Sequence, residues 1–385
     1  MLQFLGYERP DGSAGIRNHL LVLSVAGLTG PLARRVSQAL PGSVLVTMPF
    51  GGGLIGEDQA QHLRALTGFA CHPNVGAVLL IGSDPPKLRE LSQAVQAQGK
   101  LLACVCLDDC GHDSLTLSDR AVREGARLHM QLSRQRRVPM PVSRLFLGLE
   151  CGRSDPSSGM VANPLIGKVT DRVVAAGGRA VFGESLEWLG AEHLLAQRAT
   201  TPAVASALRQ AVQRRLALAS GQGVDLLGHN PGPTNIAAGL STIEEKSLGA
   251  IAKSGSAPIR GVLQYGQPVR EAGLYAMDAA AYSPESLSGF VAAGAQVMLF
   301  STGVGNSYVS LLAPTIKLSA NPQAALRLRE QLDFDASDVF RGTRTIDDAA
   351  ADLLALVVDV ASGSLTWGEV LGEGDEVVSR MAQAL

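Results

Sequence analysis

The sequence predicts an α/β protein built as two domains, each a mainly parallel, Rossmann-like sheet flanked by helices. Three observations carry that reading. Short apolar runs alternate with amphipathic stretches through both halves of the chain, the pattern of strands covered on two faces and joined by crossover helices. Glycine is abundant, 43 of 385 residues, against an ordinary usage of about 7%, and supplies the tight turns that strand-to-helix junctions need. Between the halves, residues 133–144 concentrate arginine and two prolines. That segment reads as the boundary between an N-terminal domain over 1–141 and a C-terminal domain over 142–385. The length also exceeds what one ordinary core organises.

The elements follow in order. Residues 19–25 form a compact apolar run that ends in Ala26-Gly27-Leu28-Thr29-Gly30-Pro31, after which Leu32, Val36 and Leu40 take up helical spacing. Further strands are expected at 44–48, 75–81 and 101–106, with helices around 59–66, 86–96 and 117–132. In the second half, 145–149, 179–182, 258–263, 274–277, 297–300 and 315–318 read as strands. Residues 202–219 read as an amphipathic helix, with Thr201 as its cap and proline at its first position. A last helix over 347–360 packs on the sheet. No short repeat suggests a solenoid.

Composition narrows the function. A formal net charge of −2 with 46% hydrophobic residues describes a soluble globular protein and excludes the basic balance of a nucleic-acid binder. No apolar run approaches the ~18 residues of a membrane span. The opening MLQFLGYERPDG turns polar too soon for a secretory signal, so the expected location is the cytoplasm. Five cysteines do not form a secreted disulfide framework and read as reduced thiols. Cys104, Cys106 and Cys110 with His112 offer a metal-like spacing, but the strand carrying the first two reads as buried, where thiols behave as small hydrophobes.

The segment 150–193 holds more polar and acidic side chains around short strands than folding needs. A strand delivers Glu150, Cys151, Ser154 and Asp155 at its end, and Asn163-Pro164 reads as a helix start with Asn at the cap. Such strand ends and helix starts gather ligands in open α/β sheets, which points to a small anion. Glu184 and Glu187 stand at a second junction, where carboxylates bind metal, grip hydroxyls or complement a helix dipole. Thr302-Gly303-Val304-Gly305 follows a strand and reads either as a glycine loop offering N–H groups to an anion or as a tight turn. Glu244-Glu245-Lys246 follows Ser241-Thr242, which fits an ordinary capping box as well as a catalytic role.

Taken together, these residues carry a resemblance. Cys151-Gly152-x-Ser154-Asp155, Ser158-Gly159, Ala162-Asn163-Pro164, Glu184-x-x-Glu187 and Gly190-Ala191-Glu192-His193 are similar to motifs of the altronate and galactarate dehydratases and the related sulfolactate sulfo-lyase large subunit. Gly6-Tyr7-x-Arg9, Gly15-Ile16-Arg17-Asn18, His72-Pro73-Asn74-Val75, Asn230-Pro231 with Asn235, Glu245-Lys246-Ser247-Leu248-Gly249 and Thr302-Gly303-x-Gly305 extend it to about Asp335. The resemblance implies a hydro-lyase acting on a small, sugar-acid-like hydroxylated carboxylate. That chemistry removes a proton beside a carboxylate and expels hydroxide from the next carbon, so it needs a base, a cation and an acid or Lewis acid. It implies catalytic roles for Lys246, Glu245, Asp155 and Glu184. It implies substrate contacts from Ser154, Asn163, Asn235, Thr302, Gly303, Gly305 and Arg17, and metal ligation by Cys151 and His193. Asp155, Asn163, Lys246 and Gly303 are expected to converge on one cleft.

The chain also departs from the pattern. Where the family carries His-Gly-x-Gly-Cys it has Phe50-Gly51-Gly52-Gly53-Leu54, and where the family carries Gly-Leu-Gly-Cys-Glu it has Gly82-Ser83-Asp84-Pro85-Pro86. Gly27 replaces another common cysteine. Thr234, Ile236, Ala238 and Val304 differ as well. The implied cofactor is a divalent metal, iron for this family, or none if these losses removed it. A non-catalytic scaffold or binding subunit is the alternative reading. The resemblance further implies a partner, a small SAF-type domain carried on a separate subunit. Residues 51–55 are a docking stretch for it or a loop at a homo-oligomer contact.

Overall fold

The structure, a computed structural model, describes residues 2–50, 53–83, 85–226 and 229–381. Strands β1 (Gln3–Glu8) and β2 (Ala14–Gly15) open the chain as an antiparallel pair. A four-stranded parallel sheet follows, made of β3 (His19–Ser24), β4 (Ser43–Thr47), β5 (Val75–Gly82) and β6 (Leu101–Cys106) in the order β4-β3-β5-β6. All eight residues of β5 are buried, as expected of a central strand covered on both faces. Strand β7 (Val138–Pro141) then returns to pair antiparallel with β1. The segment 133–144, expected to be a boundary, therefore contributes a strand that ties the N-terminus to the start of the second sheet.

That second sheet is parallel and seven-stranded. Its strands are β8 (Phe146–Cys151), β9 (Arg179–Phe182), β10 (Ile259–Leu263), β11 (Gly273–Met277), β12 (Val297–Ser301), β13 (Thr315–Ser319) and β14 (Phe334–Asp335), in the order β10-β11-β9-β8-β12-β13-β14. The fold class read from the sequence is the one observed. Helices Pro202–Gly221 and Ile346–Ala361 lie where periodicity placed them, and the hydroxyl of Thr201 accepts from Val204 N at 3.3 Å.

One apolar cluster joins the two parallel sheets. It runs from Leu21, Leu23 and Val78 through Leu66 and Phe69 to Phe290, Met298 and Phe300. The helices Gly56–Cys71 and Ser283–Ala292 meet inside it. Gly68 permits their approach, because a Cβ there would stand 2.1 Å from the carbonyl oxygen of Ala292. Among the described residues no helix is long and apolar enough to cross a membrane.

Lys100, just before β6, is buried and donates to the carbonyl oxygen of His72. Burial pulls its ammonium pKa from 10.5 down to about 7. Between those values the unfolded chain binds more protons than the folded one, so this group makes stability rise with pH through that window, and its penalty is full below about 7. Lys100→Met is expected to raise the unfolding free energy at pH 6 and to flatten the rise. Urea unfolding at pH 6 and pH 9 measures both; an unchanged slope would show that Lys100 is not its source.

Candidate active site at the carboxyl ends of the central strands

The seven-stranded sheet changes direction beside β8. From β8 the chain moves to β9 on one side, continues to β10 and β11, and then returns to β12 on the other side of β8. Loops leaving the carboxyl ends of such neighbours diverge and leave a crevice. A cavity of about 710 Å³ lies there, lined among others by Cys151, Arg153, Glu187, Asn230, Asn235, Lys246 and Gly305.

Behind its wall is a buried acid–base cluster. Cys151 ends β8, and its Sγ lies 3.7 Å from both carboxylate oxygens of Glu184 and from Oε2 of Glu187. Glu184 and Glu187 follow β9, the strand beside β8, which is why the three meet. Lys253 Nζ lies 2.5 Å from Glu184 Oε2 and 3.2 Å from Cys151 Sγ. Lys246 donates to Glu187 Oε1 and to Asn230 Oδ1. Glu150, one residue before Cys151, accepts from Ser286 Oγ at 2.8 Å, while its Oε1 has no partner among the described residues.

Proton affinities in this cluster are set by burial first. Burial, reinforced by Glu184 and Glu187, pushes the Cys151 thiol far up, so it stays a thiol. Burial, with Glu184 beside it, also raises Glu150 well above the carboxylate range. Glu184 is raised by burial while Lys253 works against the rise. Burial pulls Lys253 down, but the negative charge of the acidic groups around it more than reverses it. Because Cys151 keeps its proton, the Glu184 carboxylate is the partner that holds this ammonium. Lys246 follows the same logic: burial lowers it, Glu187 outweighs burial, and the result is a raised pKa.

Backbone strain collects at the same place. Three non-glycine residues among those described have positive φ, and two of them are Arg153 at 52° and Glu184 at 64°. They follow the ends of the adjacent strands β8 and β9. Side chains held in that region cost stability and concentrate where geometry serves a site.

Several residues expected to act have other work. Glu245 is exposed, and its Oε2 accepts from Ser241 N and Oγ at 2.8 and 2.9 Å, so it closes a helix cap rather than facing the cluster. Arg17 is locked to Glu369 at 2.7 Å and to the carbonyl oxygens of Ile16, Val360 and Ser364, tying the N-terminal strands to the C-terminal helices. His193 is exposed on the helix Glu192–Gln197, outside the Cys151 group. Cys104 is exposed rather than buried, and the one Cys/His/Asp/Glu grouping of metal-like spacing among the described residues is Cys151 with Glu184 and Glu187.

The polar residues after β8 mostly brace the loops. Asp155 accepts from Ser157 Oγ, Ser158 N and Oγ, and Asn321 Nδ2. Asn163 is not a cap, because a turn of π-helix over Ser158–Ala162 already precedes it; it donates to Gly249 O and accepts from Ser301 Oγ. Gly303 N and Gly305 N are taken by Arg153 O and Thr302 Oγ1, so those two N–H groups do not await an anion. Glycine is needed at 303 because a Cβ would stand 2.4 Å from Asp155 Cγ. Asn235 Nδ2 holds Ser154 O at 2.8 Å, and the Ser154 hydroxyl has no partner among the described residues. Asp155, Asn163 and Lys246 do line one adjoining cavity of about 260 Å³; Gly303 touches Asp155 from outside it. Reading the sequence missed Lys253 and Arg153, neither of which has a local pattern that marks it.

The fold and this cluster define an α/β protein with paired carboxylates and ammoniums at a sheet switch point, the equipment of proton-transfer chemistry. Comparison with known proteins names the family. Residues 142–384 match the pattern described as D-galactarate/Altronate dehydratase, C-terminal, and 6–132 match D-galactarate dehydratase/Altronate hydrolase, second domain. The chain belongs to this dehydratase family. It is 34% identical to the (2R)-sulfolactate sulfo-lyase subunit beta of Chromohalobacter salexigens, over 99% of this chain and 98% of that one. It is 30% identical to the altronate dehydratase of Escherichia coli, over 94% of this chain and 74% of the relative. With the galactarate dehydratase (L-threo-forming) of E. coli it shares 30%, over 95% and 75%. At this level it is a member of a lyase family.

Proposed function

We propose that the protein is a lyase that eliminates water from a small hydroxylated carboxylate, with Glu187 and Lys246 as its proton-transfer pair. The observation that carries this is one carboxylate and one ammonium joined on the wall of the 710 Å³ cavity. Glu187 takes the proton from the carbon beside the substrate carboxylate. Lys246, an ammonium at the outset because Glu187 outweighs its burial, gives a proton to the hydroxyl leaving the next carbon, so it is the acid and not the base. The C–H electrons pass into the substrate carboxylate as an enediolate; these electrons then form the carbon–carbon double bond as the C–O bond breaks, water departs, and the enol rearranges to a 2-oxo acid. Asn230 orients Lys246, and the Lys253–Glu184 pair behind fixes the field around Cys151.

A divalent metal, with iron the expected ion, has donors of suitable chemistry here. Cys151, Glu184 and Glu187 bring ligand atoms within 4.8 Å of one another. Binding would release the Cys151 proton, and thiolate with carboxylate suits iron or zinc. Cys151, Glu184 and Oε2 of Glu187 would hold the ion, displacing Lys253 from Glu184 and leaving Lys246 on the other oxygen of Glu187, and the ion would supply Lewis-acid stabilisation of the leaving oxygen. Cys151→Ser is expected to lower the metal content of protein purified without oxygen, with an affinity loss of about 10–100-fold. Unchanged content by elemental analysis would assign Cys151 to packing.

The full-length match to a sulfo-lyase subunit beta favours a second reading, elimination of a sulfonate group from a sulfonated hydroxy acid. The same match supports a separate small subunit, the SAF-type partner expected from the sequence; Gly51 and Gly52 of its expected docking stretch lie outside the described residues. The test offers altronate, galactarate and (2R)-sulfolactate to protein purified with whatever subunit accompanies it, and follows 2-oxo acid and sulfite. A 2-oxo acid without sulfite is expected. Sulfite selects the second reading, and neither product from any of the three overturns the lyase.

A further inference from the structure

We propose that Arg153 is the carboxylate anchor of the cavity, taking the acid group of the ligand in a two-pronged guanidinium fork. The inference deepens the lyase reading, and it rests on that reading only for the claim that the ligand is a substrate. Three independent observations meet at this residue.

The first is charge. Among the Lys, Arg, Asp and Glu side chains that line the cavity, Glu187 and Lys246 are joined to one another. Arg153 is exposed on the same wall, and its side chain has no hydrogen bond or ion pair among the described residues. It is therefore the uncompensated charge of that wall, and it is positive. An anion entering the cavity gains most there, whereas binding at Lys246 would have to compete with Glu187.

The second is conformation. Arg153 has φ 52°, a region that glycine occupies without cost and that a long side chain occupies against its preference. Folding alone would favour glycine at this turn. The other strained site residue, Glu184, has a buried ion pair to fix it; Arg153 has no side-chain partner that would fix it. A strained residue without an internal partner, on a cavity wall, is held for something that comes from outside.

The third is position. Arg153 stands two residues after Cys151, and its carbonyl oxygen accepts from Gly303 N at 3.2 Å, which fastens the turn to the loop after β12. The guanidinium thus has a fixed root beside the reacting groups. A planar fork matches the two oxygens of a carboxylate, which an ammonium cannot do.

The test uses the full chain, with any subunit that copurifies, and two readouts. The first is calorimetric binding of tartrate and of glycerate, which needs no turnover; the second is KM and kcat for whichever hydroxy acid the wild type converts. Arg153→Gly is expected to weaken carboxylate binding and raise KM about 10–100-fold, to change kcat less than KM, and to leave the melting temperature equal or higher because the strain is relieved. Arg153→Lys keeps the charge without the fork and is expected to recover only part of the affinity. Binding unchanged in Arg153→Gly overturns the anchor even if the wild type turns substrate over, and so does a wild type that binds neither acid. Binding that depends on Arg153 in a protein that converts no hydroxy acid keeps the anchor and removes the lyase reading.

Discussion

Lys253→Met is expected to destabilise the fold by about 3–5 kcal/mol, the cost of leaving a buried charge without its partner. Lys253 and Glu184 are both almost fully buried, with side-chain exposures of 2% and 1%, so water cannot replace the lost ammonium. Burial already raises the Glu184 pKa while Lys253 restrains it; without Lys253 the rise is larger. A carboxyl whose folded pKa lies above its unfolded value contributes stability that is present below the unfolded pKa and is lost as pH rises through the folded one. The variant's deficit should therefore be greater at pH 8 than at pH 5. Lys253→Met combined with Glu184→Gln should recover most of the loss, because no charge is then stranded. Urea unfolding of the two singles and the double at both pH values gives the coupling. A single-variant cost below about 1 kcal/mol, typical of exposed pairs, would mean that water reaches the pair and that it is not buried in solution.

The parallel strands were legible because each is a short apolar run between turn residues, and burial on both faces writes that run directly into the sequence. The β2-β1-β7 sheet was not. In β1 only Phe4 and Gly6 are buried, β7 carries two prolines, and the pairing joins residues more than a hundred positions apart, so no local periodicity announces it. At the site, Cys151, Glu184 and Glu187 could be found from strand ends alone, since β8 and β9 are neighbours and their exits share an edge. Lys253 could not: it sits just past the helix Ile243–Ile251, and only the packing of that helix end under β8 turns it inward. For Asp155, Asn163 and Arg17 the tertiary structure shows loop and domain bracing that the sequence does not reveal. Each is polar in a glycine-rich motif, as a ligand contact would be, but their partners, Asn321, Gly249 and Glu369, come from distant segments. A residue type and its spacing are the same for a loop brace and for a ligand contact, and the difference lies in what tertiary structure puts opposite it.

Lys246→Met is expected to lower kcat about 10²–10⁴-fold, the ordinary worth of a positioned acid, while costing less stability than Lys253→Met. The reason for the smaller cost is location: Lys246 and Glu187 line the cavity, so water can solvate the carboxylate that remains, whereas nothing can reach Glu184. Glu187→Gln should fall within the same activity range. The two losses should not multiply in Lys246→Met with Glu187→Gln, since groups that act as one unit are removed together by either change. Isotope exchange separates their roles. If Glu187 is the base, Lys246→Met should still exchange the hydrogen beside the substrate carboxylate with deuterium from the solvent while failing to expel the hydroxyl, and Glu187→Gln should do neither. Proton magnetic resonance of substrate recovered from D₂O reads the outcome. Exchange that survives in Glu187→Gln and disappears in Lys246→Met would reverse the assignment, making the lysine the base in spite of the carboxylate that holds its proton.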